Sequence, residues 1–152
     1  MIHILSKQET QEILASLQEQ FGIKEIPGIL LKIGQERIFL YQGSLSENEI
    51  KELEKTVFIE RLGVYIAKMH GNEVRLSIEG THIFKDQIIK NTFELNEKQV
   101  DEWMHGNELN VAINKKGFLI MKYKDDFLGT GKASELKISN FIPKNRRLRE
   151  KS

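Results

Sequence analysis

Cysteine is absent from the chain. That excludes a disulfide framework, a thiolate nucleophile and a cysteine-ligated zinc site. Proline occurs only as Pro27 and Pro143, and Trp103 is the lone tryptophan. No apolar run approaches the roughly 18 residues that a membrane-spanning helix needs. The start, MIHILSKQET, has no basic stretch followed by a long apolar one, so it does not read as a secretory signal. With no cysteine either, the expected compartment is cytoplasmic. No linker rich in Pro, Gly or Ser, no tandem repeat and no low-complexity segment interrupts the sequence.

What is present is an ordinary globular mixture of 152 residues, 39% hydrophobic and 30% charged. The formal net charge is only +1, but it is unevenly spread. Residues 1–60 carry 6 basic and 10 acidic side chains, and residues 61–131 carry 10 of each. Residues 132–152 carry 7 basic side chains against Glu135 and Glu150. Such asymmetry points to a polyanion facing the C-terminal end. A frayed, solvated tail is the plainer alternative.

Ser6 with Glu9 forms a capping-box pattern, and Ile13, Leu14, Leu17 and Phe21 follow at helical spacing up to Gly22. The stretch IPGILLKIGQERIFLYQG predicts a β-hairpin turning near Gly34. Ser46 with Glu49 opens a second short helix, with Ile50 and Leu53 inward. VYIAKMH and EVRLSIEG flank the turn signal Gly71-Asn72. Alternation buries Val74, Leu76 and Ile78 and leaves Arg75 wet. THIFKDQIIKN reads as a short helix entered at Gly80-Thr81, TFEL as a strand, and Asn96 as the cap of EKQVDEWMHG. NELNVAI and GFLIMKY read as strands, and Asp125-Asp126 turns the chain into FLGTGKAS. This is not the regular βαβα order of a doubly wound sheet. The expected fold class is α+β, with a small N-terminal α/β module (1–60) packed on a C-terminal mixed β-barrel (61–152).

Catalytic patterns fail on spacing. GTGK lacks the first glycine and the hydroxyl of a phosphate loop, because Ala133 follows Lys132 and Asp126 stands where that glycine belongs. It lies late in the chain and lacks the third glycine of a dinucleotide loop. His3, His70, His82 and His105 show no metalloprotease spacing, and no Gly-x-Ser-x-Gly elbow occurs. Asp125-Asp126 suits a turn better than acid–base work. The chain is therefore expected to be non-catalytic, with no cofactor and no metal.

The second half resembles a PUA domain, a small RNA-binding pseudo-barrel. The hairpin GVYIAKMHGNEVRLSIEG, the helix ending in EWMHGNEL and the strand GFLIMKYKDDFLGTGKA carry this likeness. The N-terminal layout is similar to the Nip-type factor of ribosome assembly. Leu128-Gly129-x-Gly131-Lys132 with Asn140-x-x-Pro143-Lys144-x-x-Arg147 is similar to the tail of RsmF-type (Sun/Nop) rRNA methyltransferases. That methylation uses cysteine chemistry, so the resemblance implies RNA binding here and not methyl transfer.

The implied partners are rRNA or tRNA, in ribosome biogenesis or RNA modification, with no membrane. RNA binding requires cations for phosphates. The expected RNA-binding set is Lys132, Lys137, Asn140, Lys144, Arg146, Arg147, Arg149 and Lys151, with Lys132, Asn140, Lys144 and Arg147 favoured by the resemblance. Asn140 has two readings, a contact to sugar or base and a cap of the turn into Pro143. Gly129 and Gly131 also have two, strand bends and clearance for a ligand. Spacing with Val100 and Met104 assigns Trp103 to the core rather than to base stacking. Arg75, Lys122 and Lys124 would extend the patch if they share its face. The alternative function is an adaptor whose N-terminal module docks a separate RNA-modifying enzyme or ribosome-assembly protein.

Overall fold

The computed structural model describes residues 2–56 and 62–149. Its described residues form a mixed α/β fold with two sheets and four α-helices. Strand β1 (Ile2–Ile4) leads into helix α1 (Lys7–Phe21), and β2 (Ile29–Ile33) and β3 (Arg37–Tyr41) form the first hairpin. Helix α2 (Glu47–Thr56) follows, then the hairpin of β4 (Val64–His70) and β5 (Glu73–Leu76). These five strands make one antiparallel sheet in chain order. Because β4 hydrogen-bonds to β3, this sheet crosses residue 60.

Helix α3 (Ile78–Ile83) and a short 3-10 turn (Lys85–Gln87) lead to the second sheet. It comprises β6 (Thr92–Glu94), β7 (Gly117–Tyr123), β8 (Asp126–Ala133) and β9 (Ile138–Asn140), with α4 (Glu97–Met104) between β6 and β7. β6 runs parallel to β7 and the other pairs are antiparallel. A second 3-10 turn, Lys144–Arg146, ends the described structure's regular elements.

Local chemistry sets the helix ends. Ser6 Oγ accepts the N–H of Glu9, while Glu9 accepts the N–H of Ser6 and binds His3. The Ser6 amide, then His3, hold the Glu9 carboxyl down at about 2. Asn96 and Gln99 form the same reciprocal cap on α4. Ser46 and Glu49 do so on α2.

Three expectations are corrected. Leu53 faces out, 38% exposed, so α2 is anchored by buried Ile50. The β5 strand stops at Leu76 because Ser77 Oγ accepts the Gly80 N–H and starts α3 there, earlier than Gly80-Thr81. Ile78 is therefore helical, and it packs with the α4 core cluster. NELNVAI is not a strand. Leu109 makes a single bridge to Ile138, and Val111 N–H then bonds the Leu109 carbonyl, which curls the chain out of any ladder.

The largest buried cluster joins both sheets. Ile13, Leu17 and Phe21 of α1 meet Leu30, Ile38, Leu40, Ile66, Val74 and Leu76 of the first sheet and Phe118, Ile120 and Phe127 of the second. A second cluster gathers Leu95, Leu119, Met121, Ile138 and Ile142 around Trp103 of α4. Burial of such apolar surface, at roughly 25 cal/mol per Å², is what fixes the two sheets against each other.

Candidate nucleic-acid interface

The C-terminal segment is fastened to α4. Asn140 Nδ2 donates to the carbonyls of Trp103 (2.9 Å) and Asn107 (3.0 Å), and its Oδ1 accepts the Ile142 N–H (2.8 Å). Both ends of its side chain are thus engaged inside the fold. Arg147 Nε donates to the Ile142 carbonyl at 2.8 Å. Its guanidinium lies where a side chain on Gly106 would be, so a glycine is required there. Leu148 N–H closes the segment onto the Met104 carbonyl.

Gly131 is equally constrained. A Cβ there would stand 2.8 Å from Trp103 Cη2 and 3.0 Å from the Ser139 carbonyl. This clearance serves packing of α4 and β9 on β8. Gly129 has a φ of 84°, a left-handed conformation that only glycine adopts cheaply.

The remaining cations divide by what holds them. Lys137 pairs with Glu108 at 3.1 Å. Arg146 is ion-paired with Glu79 of α3. Lys144 and Arg149 are exposed. Lys151 lies outside the described residues. Lys132 is exposed on β8, with Nζ 5.4 Å from the centre of the Phe118 ring. Burial pushes the Glu79 carboxyl up, which is the largest single influence. The Arg146 hydrogen bond, its own backbone bond, the Arg146 charge and His82 together outweigh it, and the group sits below its usual range.

A second set of cations meets this segment from the first sheet. Register places Arg37 opposite Lys68 and Lys68 opposite Arg75, so three like charges line up across β3, β4 and β5. Facing like charges destabilise a sheet. Lys68 is relieved by Glu36 at 3.4 Å. Arg37 and Arg75 instead lie over aromatic rings, Tyr65 at 5.8 Å and Phe141 at 4.3 Å. Phe141 in turn neighbours Phe118, and His70 sits edge-on to Phe118. His70 registers the positive field: burial first, then Arg75, Lys68 and Lys132, hold its pKa below the ordinary value.

Arg75 therefore does join the C-terminal face, since it shares a cleft with Arg146 and Phe141. Lys122 and Lys124 lie over Phe127 and Tyr123. Sequence reasoning missed Arg37 and Lys68. The two-residue turn Gly71-Asn72 fixes His70 opposite Glu73, and counting back two places sets Lys68 opposite Arg75. That arithmetic was available in the sequence.

Glu79 holds Arg146 in an ion pair and so offsets one cation of this face. Glu79→Gln removes a carboxylate and releases Arg146. RNA affinity is expected to rise by about threefold to tenfold, consistent with one extra phosphate contact at moderate salt, when measured by fluorescence anisotropy. An unchanged or lower affinity would show that Arg146 takes no part.

Residues 90–148 match the family of the methyltransferase RsmF PUA domain. In this stretch the chain is similar to the PUA-like domain of RsmF-type proteins. Over 146 residues the chain is 30% identical to a ribosomal RNA small subunit methyltransferase F of Psychromonas ingrahamii, covering 91% of this chain and 29% of that protein. The proteins of the same name from Vibrio campbellii and Vibrio parahaemolyticus are 28% and 26% identical over 145 residues, with the same coverage. The chain thus spans under a third of the length of these relatives. The match to the PUA-like domain takes in β6, α4, β7, β8, β9 and the fastened C-terminal segment, while the row on β3, β4 and β5 precedes it.

Proposed function

We propose that this chain binds RNA as a non-catalytic module, contacting ribosomal or transfer RNA in RNA modification or ribosome biogenesis. In this reading residues 61–152 form a PUA-like pseudo-barrel that carries the contact surface, and residues 1–60 complete its first sheet. The observation that carries the proposal is the row Arg37, Lys68 and Arg75 beside Lys132 and Arg146. Like charges are set side by side where a fold alone would separate them, and a polyanion relieves the cost. The RsmF-type match supports RNA as that polyanion. Lys132, Lys144, Arg146 and Arg149 supply further phosphate contacts. Lys137 and Arg147 contribute at its edge, Asn140 shapes the surface through its three internal hydrogen bonds, and Lys151 is a further cation in the sequence.

The test is a titration of a labelled, structured rRNA fragment between 50 and 200 mM salt. With five or more phosphates neutralised, the logarithm of affinity should fall against the logarithm of salt with a slope of about −4. A flat salt dependence, or no binding at 50 mM, would overturn the proposal.

A further inference from the structure

We propose that the cleft between β5 and the C-terminal turn is a binding site for one unpaired nucleotide of an RNA strand. The inference rests on the RNA-binding reading and gives that surface a specific pocket. The cleft has a volume of about 200 Å³ and is lined by Arg37, Tyr65, Arg75, Thr130, Phe141 and Arg146, among others. That space suits a single base and excludes a duplex, whose bases stay stacked inside it.

Three kinds of group converge there. Arg37 and Arg75 have no carboxylate partner among the described residues, and each is held against an aromatic face. A guanidinium so placed offers its donors to a phosphate and its plane to a base. Tyr65 and Phe141 give aromatic surface beside them. Thr130 supplies the third element. It is 3% exposed, and its hydroxyl is the buried side-chain polar atom without a hydrogen-bond partner among the described residues.

A buried hydroxyl left unpaired is costly, and buried polar groups almost always find a partner. β-Branching alone does not require threonine here, because valine has the same shape and no such cost. A hydroxyl both donates and accepts, which matches the mixed donor and acceptor edge of a base or a ribose hydroxyl. Cation, ring and unspent hydroxyl together describe a nucleotide, whereas a bare phosphate would leave the rings and the hydroxyl unused.

The experiment compares three probes by anisotropy and competition: an eight-nucleotide single-stranded RNA, a blunt RNA duplex of the same length, and adenosine or uridine monophosphate. Thr130→Val is expected to weaken single-strand binding about tenfold, the equivalent of roughly 1.4 kcal/mol, and to leave duplex binding within about twofold, whereas Arg75→Gln, which also removes a charge from the basic row, is expected to weaken the single strand about tenfold and the duplex only about threefold. Thermal unfolding of Thr130→Val should match or exceed that of the wild type, since no protein hydrogen bond is lost. Free monophosphate should compete only at far higher concentration than the strand.

Single-strand binding unchanged in both variants, or weakened equally with duplex binding, would overturn the cleft assignment while salt-dependent RNA binding stands. Monophosphate binding as tightly as the strand would also overturn it, by making a free nucleotide the ligand. If the wild type binds neither RNA, this site and the broader RNA-binding reading fall together.

Discussion

Replacing Arg37, Lys68, Arg75 and Lys132 by glutamine is expected to weaken RNA binding by about two orders of magnitude near 0.15 M salt and by over three near 0.05 M. Each phosphate contact to a single strand contributes about 0.7 to the log–log salt slope, so four should remove about 3. Glutamine gives up the charged ends that lie over Tyr65, Phe141 and Phe118 but keeps two methylenes and a polar tip, and each surface cation–ring contact is worth only about 0.5–1 kcal/mol, so the fold should survive. A parallel variant with Lys144, Arg146 and Arg149 changed to glutamine should lose less, because Arg146 already spends part of its charge on Glu79. Arg147 is left intact in both, since its Nε bond to Ile142 belongs to the fold. Wild-type affinity in the first variant, with the loss confined to the second, would move the interface from the sheet row to the tail.

Trp103→Ala is expected to cost about 3–5 kcal/mol of folding stability. At roughly 2–4 °C per kcal/mol for a chain of this size, the midpoint should fall by about 10 °C or more. Trp103 is 0% exposed, and the α4 cluster is assembled around it. Its Nε1–H donates to the Leu128 carbonyl at 2.8 Å, and its own carbonyl receives Asn140. One residue therefore joins α4, β8 and the C-terminal segment. Trp103→Phe, which keeps a ring but not the donor, should lose clearly less. Chemical denaturation of the three proteins measures both. A loss under about 1 kcal/mol for alanine would mean that α4 is peripheral to the fold's stability.

Much of this architecture was legible locally. The reciprocal caps at Ser6–Glu9 and Ser46–Glu49, the Asn96 cap, and the Gly71-Asn72 turn are written in residues three or fewer positions apart. The core position of Trp103 followed from its spacing with Val100 and Met104. What escaped depends on distant partners. Asn140 is claimed by carbonyls 33 and 37 residues earlier, which no local pattern displays. NELNVAI has strand composition, but the Val111 to Leu109 bond takes it out of the ladder. Helical spacing turned Leu53 inward, yet only Ile50 of α2 is buried. The basic row was missed because charge was summed along the chain. Seven basic residues within 132–152 are conspicuous in sequence, whereas Arg37, Lys68 and Arg75 become neighbours only when strands pair.

The core that joins both sheets bears on where this molecule can be divided. The family match begins at residue 90, within the turn that leads into β6. A cut there would strip Phe118, Ile120 and Phe127 of Leu17, Phe21, Val74 and Leu76, their partners from the other side. Three large apolar side chains would then meet water on one face of the remaining sheet. Residue 90 thus marks where the domain match begins, while the buried core that supports this sheet continues back to α1.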